Sequence, residues 1–574
     1  MITTAVIPAF GAESHPASSP SPARAAASAK LASDLDLSSA APVDVIIQFI
    51  TAPTERHFNK VRAHGGTLRT RFDFIKAGKF SIPASTLEEL SKEPEVAYIS
   101  PDRHLQSMST SSSLTLDYYP EAVSASYAWN LGLNGSGIGV AVIDSGVMNV
   151  ADLGNRVVYS QNLVNNAGGS ANDTYGHGTH VAGIIGGDGK DSTGSQYFYT
   201  FDGVAPNVNL VNLRVLNGTG AGQDSDVINA ISQAINLKKT YNIRVINLSL
   251  GRPVEESYAQ DPLCQAVESA WKAGIVVVVA AGNDGRDTTF NTNGYLTIDA
   301  PGNDPYVITV GAMNTMGTLS RADDVITSYS SKGPSPLDHI AKPDIVAPGN
   351  RITSLYGAGT YLSATYPANI DPYSLYQTGG SSSPSSEYFQ LSGTSMATGV
   401  VSGAAALMLQ QQPNLTPDQV KARMMISAYK AFPMYSTATD PTTGITYNEQ
   451  YDVFTIGAGY LDIQTALNSS ALAPNTVGAA MSPPVNYSTK NGSTTVTLVT
   501  EAPAVWSTSG AWSETNVWGT QALLNDDGVL WGNAAVWGTS SSQGFGTVWG
   551  QSVVWGKSTT DDSESSTVAI YGEN

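Results

Sequence analysis

Between residues 115 and about 468, short apolar runs alternate with segments of helical periodicity, and this alternation constrains the fold more than any other feature of the chain. Gly139 to Ile143 reads as a strand ending at Asp144, and Asn209 to Leu216 as a second. Val227, Ile231 and Ile235 recur every four residues, which places them on one helical face. Val245 to Leu250 forms the next strand, Cys264 to Lys272 a helix, and Ile275 to Ala281 a further strand. Strand-helix repeats of this length predict the α/β class, with a parallel sheet sandwiched by helices. Such sheets bind ligands at the carboxyl ends of their strands. Asp144 and the turn Gly282-Asn283 both fall at such ends.

The flanking segments follow other patterns. Residues 1–42 lack the basic start and long apolar run of a complete signal peptide, and their Ala, Ser and Pro content from residue 14 reads as a disordered linker in which nothing packs. They are read either as that tail or as the remnant of a signal. Residues 43–106 run strand, helix, strand, strand, helix, strand, the order of a small ferredoxin-like α+β unit. In residues 469–574, seven tryptophans (506, 512, 518, 531, 537, 549 and 555) stand mostly in Val-Trp-Gly or Leu-Trp-Gly units. Their even spacing puts them on one face of an extended chain. Packing of this Trp-rich repeat on itself or on the preceding domain is the favoured reading; stacking on sugar rings or another flat partner is the alternative. Residues 107–468 remain as the central domain.

A formal charge of −19, with no basic block, argues against a nucleic-acid partner, because phosphate backbones are bound through Lys and Arg. No apolar run approaches the roughly 20 residues of a membrane span. The single cysteine, Cys264, permits no internal disulfide and sits on an apolar helix face, which predicts burial.

Three glycine-bracketed segments carry the chemistry: Val142-Ile143-Asp144-Ser145-Gly146, Tyr175-Gly176-His177-Gly178-Thr179-His180, and Ser392-Gly393-Thr394-Ser395-Met396-Ala397. Each alone has an ordinary structural explanation as a cap or turn. Together they supply a hydroxyl nucleophile, an imidazole base and a carboxylate to hold the base in one tautomer. Ser395 precedes the helix from Met396 to Gln411, whose first backbone N–H groups face any developing oxyanion.

These segments, in the order Asp, His, Ser, closely resemble the subtilisin-like serine peptidase family over residues 115–468. The resemblance implies that Asp144 orients the imidazole, His177 is general base and then acid, and Ser395 attacks the peptide carbonyl. It implies an oxyanion role for Asn283. Ser249, Leu250, Gly251 and Gly220, Ala221, Gly222 become two edges that pair with an extended substrate, and Leu250, Gly251 and Gly282 the walls of the pocket for the residue before the cut. The expected preference there is for large apolar side chains. No cofactor is required for the chemistry. Asp152 matches a carboxylate that the family uses for calcium, so a structural calcium ion is left open with no other ligand assigned. Gly399 stands where the family usually has proline, which leaves the helix geometry open at that point. Residues 354–390 form a Tyr and Ser rich insertion, read as a rim or lid.

Residues 43–106 resemble the family's inhibitory propeptide, and the stretch from His104 to Ser113 is then expected to cross the active site and be cut there. The resulting expectation is a secreted, self-processing serine endopeptidase with protein or peptide substrates and its own propeptide as inhibitor. A binding or adhesion protein working through its tryptophans, and an esterase using the same triad, are the alternatives.

Overall fold

The computed structural model describes residues 30–107 except 36, 38 and 40, residues 116–490 except 167, 288–291, 434 and 441–443, and then 493–498, 521–525, 530–531 and 573. The N-terminal unit comprises β1 (Pro42–Phe49), α1 (Glu55–Ala63), β2 (Thr67–Phe72), β3 (Ala77–Pro83), α2 (Leu87–Ser91) and β4 (Val96–Pro101). Its antiparallel sheet has the order β2-β3-β1-β4. Alternation along β1 divides its side chains between two cores. Val45, Ile47 and Phe49 bury against Phe58, Val61, Leu87 and Leu90, while Ile46 joins the core of the central domain.

The expectation that nothing before residue 43 packs is corrected by residues 30–35. β4 is a sheet edge with unpaired backbone groups, which another strand readily satisfies. Ala32 N donates to Ile99 O at 3.0 Å, and Ile99 N donates to Lys30 O at 2.9 Å. Asp34 pairs with Arg103 at 2.8 Å, and Ala32 is buried.

After β5 (His104–Ser107) the central domain begins with β6 (Gly139–Asp144), β7 (Val157–Asn162), α3 (His177–Gly186), β8 (Asn209–Arg214), β9 (Ala221–Gln223) and α4 (Asp224–Tyr241). It continues through β10 (Ile243–Leu248), β11 (Leu250–Gly251), α5 (Pro262–Lys272), β12 (Val276–Ala280), β13 (Ile308–Asn314), β14 (Val325–Ile326) and β15 (Ile345–Pro348). The main sheet runs β14-β13-β12-β10-β6-β8-β7, with β15 on β13, and is parallel except for β14. β12, Val-Val-Val-Val-Ala, is buried throughout, as a strand covered on both faces must be.

The insertion folds as β16 (Ile352–Leu355), β17 (Ile370–Pro372) and β18 (Pro384–Leu391), in the order β16-β18-β17. Tyr376 and Tyr388 are buried within it, with Phe201 packed on both. It is therefore a small sheet whose aromatic residues join the core of the central domain. It braces the segment before His177, where Tyr361 N and Leu362 N donate to Thr174 O and Tyr175 O.

α6 (Thr394–Gln411) is buried from Thr394 to Leu409, as a helix apolar on every side requires. It continues through Gly399 without interruption, and a Cβ there would lie 3.1 Å from Ile184 Cγ2 of α3. α3 and α6 thus approach closely enough to place their N-termini in one region.

The two folded units meet through Asp102, which accepts from Ser225 N and Ser225 Oγ, both at 2.7 Å, at the start of α4, and pairs with Lys79 at 2.6 Å. Packing on the central domain also continues beyond residue 468, with Ala473 and Ala480 buried. Glu573 is buried as well, pairing with Arg286 at 2.8 Å and accepting from Ser328 N. Of the seven repeated tryptophans only Trp531 is among the described residues, in a two-residue strand; the other six lie outside them.

Candidate active site

Every group the motifs supply sits where a strand ends or a helix begins. Asp144 closes β6, Ser249 follows β10, and Asn283 follows β12. His177 opens α3, and Ser395 is the second residue of α6. Asp144, His177 and Ser395 are fully buried.

His177 Nδ1 lies 2.7 Å from Asp144 Oδ1, which also accepts from Ser145 N at 2.7 Å. Donation from Nδ1 leaves the lone pair on Nε2. That nitrogen has no hydrogen-bond partner among the described residues. Ser395 Oγ donates to Ser249 O at 3.1 Å, and Ser249 Oγ in turn donates to Ser395 O at 2.8 Å. The nucleophile candidate is thus held by Ser249 from two sides, with its hydroxyl turned toward a carbonyl rather than the imidazole.

Asn283 joins the two halves of the site. Its Oδ1 accepts from Thr394 N at 3.0 Å and from Thr394 Oγ1 at 3.0 Å. Because a backbone N–H can only donate, the amide orientation is determined, and Nδ2 must face the other way. Nδ2 is buried with no partner among the described residues. Ser395 lies within the first turn of α6, where backbone N–H groups lack intrahelical acceptors.

Sequence reasoning missed Asp173. Its Oδ1 accepts from Ser145 Oγ (2.9 Å), Tyr175 N (3.0 Å) and Gly176 N (2.7 Å), and its Oδ2 accepts from Thr179 N (2.9 Å) and Thr179 Oγ1 (2.7 Å). Burial raises its pKa, while these donors act in the opposite sense. Asp173 therefore fixes the turn that presents His177. In a Ser395→Ala background, which removes self-digestion, Asp173→Ala should lower unfolding free energy in urea by about 3 kcal/mol or more, since several buried donors lose a charged acceptor. A loss under about 1 kcal/mol would show that the turn holds without it.

His180 lies outside the site. Its Nε2 is 3.0 Å from the carbonyls of Ile352 and Phe389, and burial, with His177 nearby, lowers its pKa to about 3. Asp152 Oδ1 accepts from Asp191 N and its Oδ2 from Tyr388 OH, both at 2.7 Å. Among the described residues no group of three or more His, Cys, Asp or Glu is placed to hold a metal ion. Cys264 is buried, and burial raises its thiol pKa.

The two expected substrate edges enclose a strand of the chain itself. β5 pairs antiparallel with β9 (His104 with Gln223, Leu105 with Gly222, Gln106 with Ala221) and with β11 (Gln106 with Gly251, Ser107 with Leu250). The paired edge is thus Ala221–Gln223, one residue beyond Gly220–Gly222, and Gly220 lies in the turn closed by Asn217. Residues 108–113, expected to continue through the site, lie outside the described residues.

Residues 135–459 match the family model described as the subtilase family. Serine protease AprX of Bacillus subtilis (strain 168) is 36% identical over 362 residues, covering 62% of this chain and 74% of that protein. Subtilisin E of the same strain is 33% identical over 365 residues, with 63% and 78% covered. The extracellular serine proteinase of Thermus sp. (strain Rt41A) is 33% identical over 353 residues, with 60% and 69% covered. The crystal structure of fervidolysin from Fervidobacterium pennivorans, a keratinolytic enzyme related to subtilisin, superposes with a TM-score of 0.57 at 21% identity. That superposition covers 77% of this chain and 63% of the other, and it shows a shared fold.

Proposed function

The chain belongs to the subtilase family and is a serine endopeptidase, and on that footing we propose that Asp144, His177, Ser395 and Asn283 carry its chemistry. Ser395 Oγ attacks the peptide carbonyl as its proton passes to His177 Nε2. Asp144 keeps the imidazole in the Nδ1–H tautomer and stabilises the cation formed. The carbonyl oxygen, now negative, takes hydrogen bonds from Asn283 Nδ2 and Ser395 N–H. Collapse breaks the C–N bond, and His177 returns the proton to the departing amine. Water, deprotonated by the same imidazole, then releases the acyl group from Ser395. The observation that carries this reading is the orphan Asn283 Nδ2, a buried donor whose opposite atom is tied to the residue before the nucleophile.

The Ser395 hydroxyl must leave the Ser249 carbonyl and turn to Nε2 before attack. What supports an inhibited state is β5, which occupies the line that an extended substrate would take between β9 and β11. We read residues 43–106 as a propeptide that docks through Asp102 and lays its tail into the cleft, with processing in the segment that follows Ser107. Peptide and protein segments are the substrates. No helix among the described residues is long and apolar enough to cross a membrane, and one similar proteinase is named extracellular, which supports secretion.

A small fluorophosphonate should label Ser395 stoichiometrically once the N-terminal unit is released, and His177→Ala should abolish the labelling. Unlabelled wild type would overturn the reading. Asn283→Ala should lower kcat by about 10²- to 10³-fold with little change in KM, because Nδ2 meets the substrate only as the oxyanion develops. A change confined to KM would move Asn283 out of that role.

A further inference from the structure

Asp299 was not among the residues singled out from sequence, yet it stands between the two segments that flank the nucleophile. Its backbone N donates to Ala281 O at 2.9 Å. Its neighbour Ala300 is bonded both ways to Arg252, at 3.1 and 2.8 Å. The backbone at residues 299 and 300 is thereby tied to both Ala281 and Arg252. A Cβ on Gly282, whose φ is +113°, would lie 2.9 Å from Asp299 Oδ2 and 2.6 Å from Ser331 Oγ. The carboxylate therefore lies against the bare face of Gly282, and only glycine leaves room for it there.

This carboxylate is 4% exposed and has no hydrogen bond or ion pair among the described residues. The cation nearest in influence, Arg252, is already engaged. Its Nε and Nη2 bond Asp224 at 3.0 and 2.9 Å, and Nη2 also bonds Asp261 at 2.7 Å. Asp284 adds a second negative charge nearby, and burial together with Asp284 disfavours ionisation of Asp299. A buried carboxylate without a counterion, set against the bare face of Gly282, is a site that a cation from elsewhere would complete.

The line of β5 says which part of a substrate would reach it. Ser107 pairs with Leu250, so the next residue of a chain on that line lies opposite Ser249, whose carbonyl holds Ser395 Oγ. That next residue precedes the bond to be cut. Resting on the peptidase function proposed above, we propose that Asp299 is the specificity-determining residue of the enzyme and selects substrates with lysine or arginine immediately before the scissile bond. Leu250, Gly251 and Gly282 suit the aliphatic stem of such a side chain, and the carboxylate takes its charged end. This replaces the expectation of a preference for large apolar residues, which considered only the walls. The chain's own segment from His104 to Leu114 contains no Lys or Arg, so processing within one molecule proceeds without this contact and tests the catalytic machinery separately.

The test is a panel of peptide anilides carrying Leu-Gln-Ser followed by Lys, Arg, Met, Leu or Glu. The fraction of working enzyme is first set by fluorophosphonate titration. For wild type, kcat/KM for Lys and Arg should exceed that for Met and Leu by about 10-fold or more. Asp299→Asn, labelled as fully as wild type, should lose about 10²-fold on Lys and Arg and change about threefold or less on Met and Leu. Asp299→Glu, which keeps the charge, should retain the basic preference. Faster cleavage of Met or Leu by wild type, or a parallel loss on all five substrates in Asp299→Asn, would overturn the proposal. Absence of labelling would instead remove the peptidase function on which it rests.

Discussion

Ser395→Ala is expected to lower kcat on the order of 10⁶-fold while leaving the fold intact. Among the described residues, the only side-chain bond removed is that from Oγ to Ser249 O, worth about 1 kcal/mol. The same variant should stay at full length. If the segment after Ser107 is cut by the enzyme itself, the parent loses about 11 kDa, from 60.0 kDa over 574 residues, and the alanine chain does not. Intact mass of both, purified side by side, reads catalysis and processing in one measurement. Equal masses would end the self-processing reading. Activity within about tenfold of the parent would end the assignment of the nucleophile.

Asp144→Asn should lower kcat by about 10⁴-fold, close to 5 kcal/mol, with near-native stability. Asp144 Oδ1 faces His177 Nδ1 at 2.7 Å and also accepts from Ser145 N. With Ser145 N fixing the oxygen at Oδ1, an asparagine keeps that bond and places its amide at the other position. The carboxylate charge that stabilises the imidazolium is lost. Where the amide does turn to Nδ1, it donates there and drives the ring proton to Nε2, the atom needed as the base. Kinetics on the isolated processed enzyme, with unfolding measured in parallel, separate these chemical losses from a folding defect. A drop of less than about tenfold would mean that His177 is held and polarised by something else.

Much of the central domain was legible because its signals are local. A strand buried on both faces must be apolar along its whole length, so β12 announces itself as Val-Val-Val-Val-Ala. The motifs around Asp144, His177 and Ser395 bring their glycines with them, and sequence spacing alone put each at an element boundary. The stretch at residues 30–35 misled because composition reports on average polarity, and its pairing with the β4 edge depends on a few backbone groups that composition does not show. The insertion read as a rim or lid concealed a small sheet, since its tyrosines reveal burial only once Phe201 is known to pack among them.

Sequence by itself determined the parallel α/β class, because it follows from periodicity, and the motifs a few residues long carried the resemblance that pointed to Asp144, His177, Ser395 and Asn283. Tertiary structure alone decided which polar atoms would be left without partners. Among the described residues, Asp173 collects five donors from the turn around His177, whereas Asp299, similarly buried, collects none. Both are single aspartates in unexceptional surroundings along the chain. Their opposite fates arise because a buried charge is settled by whatever distant backbone and side chains close around it, and that closure is a property of packing rather than of neighbouring residues.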